Sequence, residues 1–171
     1  MEIYTHLIAG GVELEEINKV VVFQVGNEEY AIPIQFVMSI EKVEGVTPIP
    51  HLPNYVKGIM KVRGELIPII DFESILYNRS FVATELTKMI VIQTDLLSIG
   101  VIVSDAKEII DIPADKLKQL GLIAYQRTTY FTGVANLDSR VITLIDPSIL
   151  IQSLDGIREI QEFMKTQKET I

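Results

Sequence analysis

The chain has 171 residues, of which 48% are hydrophobic, so it is long enough to bury a substantial core. Its formal net charge of −8 disfavours nucleic acid and anionic membrane surfaces as partners, because an acidic surface is repelled by phosphate groups. We expect no direct membrane insertion, because no apolar run approaches the roughly 18–20 residues needed to span a bilayer. The absence of cysteine excludes disulfides, thiolate metal sites and cysteine nucleophiles, and it fits a reducing, cytoplasmic location.

Isoleucine and valine are unusually frequent, with 27 and 16 copies in the chain. Their β-branched side chains are stiff about χ1 and pack well on a pleated surface, so they favour strands over helices. The composition therefore predicts a mainly β protein.

The first half of the chain predicts three β elements in order. Residues 1–18 show no clear pattern and are expected to form a loose tail. A hairpin with a Gly-Asn turn is predicted over Phe23–Ile34, followed by a single strand over Val37–Val43. A second hairpin is predicted over Gly58–Asp71, and its final aspartate is placed to cap a short helix.

The second half repeats this order of elements. The matching segments are a hairpin over Ile92–Val103, a strand over Ala106–Ile112 and a hairpin over Gly133–Asp146. The last aspartate is followed by Pro147, which suits the first position of a helix. Each half therefore predicts five strands.

Five short antiparallel strands leave bare edges in water unless the sheet closes on itself. We therefore predict two small five-stranded SH3-like β-barrels, the first over residues 18–78 and the second over residues 79–154. A barrel of about 60 residues is marginally stable by itself, so the two are expected to pack on a shared hydrophobic core.

The stretch over residues 155–171 has a different pattern. Its apolar residues recur at helical spacing with charges between them, namely Ile157, Ile160, Phe163 and Met164. This predicts a C-terminal helix that docks on the barrels, although a helix that binds a partner would show the same pattern.

The sequence offers little for catalysis. His6 and His51 are the only histidines, and neither a nucleophile elbow nor a glycine-rich phosphate loop is present. Asp71 and Asp146 occupy equivalent positions of the repeat, which is typical of helix caps and not of a catalytic dyad. We expect no enzyme activity, no metal and no cofactor.

One stretch resembles a known family. It reads His51-Leu-Pro-Asn-Tyr-Val-Lys-Gly-Ile-Met-Lys-Val-Arg-Gly-Glu-Leu-Ile-Pro-Ile-Ile-Asp71, with a proline-containing approach, a strand, an Arg-Gly turn, a strand and an aspartate before a helix. This order resembles the signature region of the CheW-like domain family of chemotaxis coupling proteins, and the likeness covers residues 18–152. The pair Lys61-Val62 departs from the family's usual Asn-Leu.

The resemblance implies a scaffold without catalytic activity. Members of the family couple transmembrane chemoreceptors to the histidine kinase CheA by contacting the cytoplasmic receptor tip and the CheA regulatory domain. The chain is accordingly expected to be monomeric alone, cytoplasmic, and recruited to membrane-associated receptor arrays. The receptor tip is expected to dock in a groove between the two barrels.

The resemblance also suggests which residues bind. The receptor-binding residues it implies are Ile34, Val37, Ser39, Ile40, Arg63 and Gly64. The kinase-binding residues it implies are Leu120 and Leu122, in an apolar run that follows a predicted short helix.

Three alternatives stay open at this point. The apolar members of the receptor set fit a buried core equally well. The chain also fits an adaptor paralogue in a non-flagellar sensory pathway. Finally, a small β-barrel protein that binds a ligand, or an enzyme, would use the cleft between the barrels as its site.

Overall fold

A computed structural model describes residues 17–119 and 129–170, and strands predominate in it, so the mainly β prediction is confirmed. The first half contains β1 (Ile17–Val25), β2 (Glu28–Pro33), β3 (Val37–Glu41), β4 (Val56–Val62), β5 (Glu65–Asp71) and α1 (Phe72–Tyr77). The second half contains β6 (Lys88–Gln93), β7 (Ser98–Val103), β8 (Asp105–Pro113), β9 (Leu117–Gln119), β10 (Phe131–Leu137), β11 (Arg140–Ile145), α2 (Pro147–Ser153) and α3 (Ile157–Thr170).

The strands form two sheets, and each sheet takes strands from both halves of the chain. The first sheet has the order β8-β1-β2-β11-β10-β9, and the second has the order β3-β6-β7-β5-β4. The opening hairpin of each half thus lies in the sheet of the other half. The grouping of strands therefore differs from the expected units 18–78 and 79–154, because hairpins form from local contacts whereas the parallel pairings β2–β11 and β5–β7 depend on distant ones.

Each sheet has its two edges linked by one stretch of chain. In the first sheet, β8 runs through a 3₁₀ turn at Ala114–Lys116 into β9, which pairs at the opposite edge. In the second sheet, the chain leaves β3 and Thr47 forms a bridge to Ile59 of β4, again at the opposite edge. Both sheets therefore curl, and their SH3-like character stays a prediction.

Apolar clusters inside each sheet and between the sheets hold the described part of the molecule together. The cluster inside the first sheet includes Val22 and Leu144, and the cluster inside the second includes Ile69 and Val91. The largest cluster lies between the sheets and takes side chains from both, including Phe23, Phe72, Ile92, Val101 and Ile145. The predicted shared hydrophobic core is therefore present.

Both repeat-related aspartates end a strand and cap a helix, as predicted. The Asp71 carboxylate accepts hydrogen bonds from the backbone N–H groups of Glu73 and Ser74, and Asp146 accepts the equivalent pair in α2. Asp71 is fully buried, and its second oxygen accepts from the Phe81 N–H at 2.9 Å. These bonds satisfy helix N–H groups that otherwise lack partners.

The predicted C-terminal helix is present as α3. Its buried side chains Ile160 and Met164 pack against Val56 and Ile59 of β4, and Phe163 is partly buried beside them. The apolar stripe of α3 thus covers one face of the second sheet.

An ion-pair cluster centred on Arg140 links three strands of the first sheet. The Arg140 guanidinium donates to both carboxylate oxygens of Glu29, at 3.2 and 2.7 Å, and lies 2.7 Å from a carboxylate oxygen of Glu108. The cluster therefore joins β2, β8 and β11, which are not all neighbours in the sheet. The hydrogen bond from Arg140 lowers the pKa of Glu29 below its ordinary value.

Replacing Glu29 by glutamine is expected to lower the free energy of unfolding at pH 7 by about 0.5–1 kcal/mol, because the pair is partly exposed to water. A carboxyl whose pKa is lowered by folding stabilises the fold above its unfolded pKa and loses that effect as the pH falls through the folded value. The difference between the two proteins should therefore shrink below pH 4.5, the ordinary glutamate value, and then disappear.

Urea unfolding at a series of pH values measures this difference. The neighbouring exposed Glu28 provides a matched control, since Glu28→Gln removes the same charge without touching Arg140. A stability gap for Glu29→Gln that stays constant down to pH 3, or that Glu28→Gln reproduces, would show that the ion pair does not contribute.

Candidate protein-interaction surface

Strand β3 lies at an edge of the second sheet and shows apolar side chains to solvent. Its residues alternate between partly buried and exposed, as expected when successive side chains point to opposite faces. Met38 and Ile40 are on the outward face, with 52% and 43% of their surface exposed. Two neighbouring exposed apolar side chains on one strand form a contiguous patch, which marks a candidate contact site.

The inward face of β3 differs from this patch. Val37 is partly buried and packs against the shared core, as does Ile34 in the preceding 3₁₀ turn. The hydroxyl of Ser39 is buried and has no hydrogen-bond partner among the described residues. A buried hydroxyl without a partner costs free energy, so Ser39 contributes to the interior of the sheet and not to the exposed patch.

The Arg63-Gly64 turn between β4 and β5 lies beside this strand. Both residues have positive φ angles, 51° and 84°, as a two-residue type I′ hairpin turn requires. The Arg63 guanidinium is 3.6 Å from the carboxylate of Glu41 at the end of β3, and its side chain is 71% exposed. The turn therefore carries a cation at the rim of the patch, with most of its donors open to solvent.

The structure thus separates the predicted receptor-binding residues into two groups. It brings Ser39, Ile40, Arg63 and Gly64 to one end of the second sheet, through the contact between Arg63 and Glu41. Ile34 and Val37 instead pack on the shared core. The predicted kinase-binding residues, Leu120 and Leu122, lie outside the described residues.

Several exposed apolar residues were absent from the predicted set, and two of them lie on edge strands. Met38 lies beside Ile40 on the same strand, and Ile109 on β8 is 56% exposed. The repeat aligns Ile109 with Ile40, so a comparison of the two halves position by position signals Ile109, whereas Met38 follows from its place two residues before Ile40 on the same strand. Strand β8 is an edge strand of the first sheet, as β3 is of the second.

The described part of the chain shows no group of three acidic or histidine side chains placed to hold a metal ion. Nor does any helix within residues 17–119 and 129–170 have the length and apolar character needed to cross a membrane.

Comparison with known proteins identifies the family. The CheW-like domain matches residues 19–155, which is most of the chain and agrees with the predicted span of 18–152. The chain belongs to the CheW-like domain family. The resemblance seen in the His51–Asp71 stretch is thereby confirmed.

Relatives in this family are chemotaxis proteins. The chain is 30% identical to the chemotaxis protein CheW of Klebsiella aerogenes over 77% of its own length and 80% of that relative. It is also 30% identical to CheW of Rhizobium meliloti, over 82% and 88% of the two chains. These names support a chemotaxis scaffold or adaptor and point to a non-catalytic role.

A solved structure of the family has the same fold. The scaffolding protein TtCheW from Thermoanaerobacter tengcongensis superposes with a TM-score of 0.69 at 25% identity, covering 82% of this chain and 91% of that one. The CheW-like fold therefore extends over both sheets of the present chain.

Proposed function

We propose that this chain couples transmembrane chemoreceptors to the regulatory domain of the histidine kinase CheA, at the cytoplasmic side of membrane-associated arrays. The observation that carries the proposal is the exposed pair Met38 and Ile40 on an edge strand, with the Arg63 cation at its rim, in a member of the CheW-like domain family. An apolar patch with a polar rim is the usual composition of a protein interface.

The patch suits a helical partner such as the tip of a receptor's helical hairpin. A helix docks by placing apolar side chains at one face into an apolar trough, while charges at the rim set its register. Full burial of a methionine or isoleucine side chain contributes about 1.5–3 kcal/mol, so the pair supplies the core of a moderate affinity.

The charges around the patch favour a particular partner chemistry. The Arg63 side chain is 71% exposed and engages Glu41 at 3.6 Å, so it keeps donors for a second carboxylate on the receptor. We therefore expect the receptor tip to present a carboxylate near Arg63.

The kinase surface is proposed to be separate from this patch and to include Leu120 and Leu122. A scaffold that holds two partners at once needs two surfaces, and these leucines are far in sequence from β3. The protein alone is proposed to be a monomer, with neither a cofactor nor a nucleic-acid partner.

Mixing the purified protein with the regulatory domain of its cognate CheA is expected to give a complex that elutes from size-exclusion chromatography ahead of either component. The protein alone should elute as a monomer. With both partners folded at tens of micromolar, about the concentration at which a micromolar affinity gives mostly complex, separate elution would contradict the coupling function.

A further inference from the structure

Met38 differs from the other described methionines in its exposure to solvent. It is 52% exposed, whereas Met89 and Met164 are fully buried and Met60 is partly buried against the core of the second sheet. Met1 lies outside the described residues. Oxidation of a thioether requires access to the sulfur atom, so Met38 is the described methionine that a dissolved oxidant reaches most easily.

A β-bulge accounts for this exposure. The register of β3 on β6 shifts between Val37 and Ser39, whose partners are consecutive residues of β6, so the pairing skips Met38. The extra residue of a bulge is left out of the ladder, and bulges at sheet edges re-aim side chains. The backbone therefore directs the Met38 side chain outward, beside Ile40 in the exposed patch.

The other half of the repeat has a bulge at the equivalent position. Two consecutive residues of β1 pair with Ala106 and Glu108, so the pairing skips Lys107. Lys107 corresponds to Met38 in the repeat and is also exposed. The bulge thus accommodates a charged side chain, and the fold does not require an apolar one there. A polar group at Met38 should therefore leave the fold intact.

We propose that Met38 is a reversible oxidation site, and that conversion of its thioether to a sulfoxide weakens receptor docking on the β3 patch; this inference rests on the coupling function proposed above. The oxidant is a hydroperoxide, which transfers one oxygen atom to the Met38 sulfur. The O–O bond breaks and an S=O bond forms. The sulfur gives up two electrons, and the proton of the transferred oxygen passes to the leaving oxygen, which departs as water or, from an alkyl hydroperoxide, as an alcohol.

The reaction is reversible because methionine sulfoxide reductases act on the product. Two thiols supply two electrons and two protons, the S=O oxygen leaves as water, and the thiols become a disulfide. The chain itself contains no cysteine, so these thiols belong to the reductase and its reductant.

A sulfoxide changes the chemistry of the patch. The side chains of Met38 and Ile40 offer adjacent apolar surface, and a flexible thioether adapts to different partner side chains. The sulfoxide oxygen is polar and would have to lose its hydration against an apolar helix face. We expect the affinity for a receptor-tip fragment to fall about fivefold to thirtyfold, while the affinity for the CheA regulatory domain stays unchanged.

Mild treatment with hydrogen peroxide, followed by peptide mapping with mass spectrometry, locates the oxidation. Met38 should oxidise at least about tenfold faster than Met89 and Met164. Fluorescence anisotropy then measures the affinity for the receptor fragment before treatment, after treatment, and after incubation with the reductases for both sulfoxide epimers and dithiothreitol. The affinity should fall and then return, while the melting temperature stays within about 2 °C of its starting value.

Two variants assign the effect to one side chain. Met38→Leu lacks the thioether, so its receptor affinity should be the same before and after peroxide, whatever its starting value. Met60→Leu is the matched control, because it removes the partly buried methionine of the same sheet, keeps a similar side-chain volume and retains Met38. It should respond to peroxide as the wild type does.

Oxidation of Met38 no faster than that of Met164, unchanged receptor affinity of the Met38 sulfoxide, or a response that persists in Met38→Leu overturns the proposal. A fall in melting temperature together with the loss of binding also overturns it, because oxidation would then act through unfolding. All four outcomes leave the coupling function in place, since the untreated protein binds the receptor fragment. Failure of the untreated protein to bind contradicts the coupling function itself, and the inference about Met38 falls with it.

Discussion

Replacing Gly58 by valine is expected to lower the free energy of unfolding by at least about 4 kcal/mol, a loss that leaves little of a typical domain's stability. Gly58 lies on β4 with φ at 150°, where side chains are rarely found. A Cβ atom at this position would stand 2.1 Å from the Thr47 carbonyl oxygen, which is well inside contact distance. The bridge between Thr47 and Ile59 would have to break, and with it the link across the second sheet.

Gly64→Val is the matched control for this experiment. Gly64 also has a positive φ, 84°, but an added Cβ would meet nothing within 4 Å, so only backbone strain of about 1–2 kcal/mol is expected. Guanidinium chloride unfolding followed by circular dichroism ranks the two variants against wild type. Equal midpoints for Gly58→Val and Gly64→Val would show that the close approach of Thr47 has no role in stability.

Ile40→Asp is expected to weaken binding of a receptor-tip peptide or receptor fragment by about tenfold to hundredfold, because the new carboxylate would be desolvated against an apolar helix. Ile40 is 43% exposed in the free protein, so its replacement should change the melting temperature little. Binding of the CheA regulatory domain should also change little. Fluorescence anisotropy with each partner measures the two affinities.

Val141→Asp is the matched control for Ile40→Asp, because Val141 is 58% exposed on β11 of the other sheet. It should leave receptor affinity unchanged. Unlike either of these variants, Val37→Asp should lower the melting temperature, because Val37 packs against the shared core. If Ile40→Asp binds the receptor as tightly as wild type does, the outward face of β3 is not the docking surface.

Local features of the fold could be predicted from the sequence because they arise from neighbouring residues. The Gly26-Asn27 turn, the Arg63-Gly64 turn and the caps at Asp71 and Asp146 each depend on a few adjacent side chains. The exchange of opening hairpins could not be predicted in this way. It rests on the parallel pairing of Glu29–Ala31 with 142–144, and no local pattern marks which hairpin a strand will join.

The candidate site shows a similar division. The family resemblance predicted a set of residues at one end of the second sheet, but it placed Val37 and Ile40 together although side chains three residues apart on a strand point to opposite faces. If the alternation of faces is applied strictly, Val37 and Ile40 fall on opposite faces of β3, and Met38 falls on the same exposed face as Ile40. The burial of the unpartnered Ser39 hydroxyl and the Arg63–Glu41 contact depend on the positions of other strands, so only coordinates reveal them.

The exchange of hairpins also bears on how the chain acquires its structure. The Glu29 and Arg140 side chains that meet across the first sheet are 111 residues apart, so the first sheet is incomplete until the last hairpin has been synthesised, and the second sheet is incomplete until β7 has been. Such distant pairings slow folding, because a long loop must close before its contacts form. A fragment that ends between the halves would expose the unpaired edges of β2 and β5. The two halves should therefore fold and unfold as one cooperative unit, and chaperones should meet the nascent chain with both edges open.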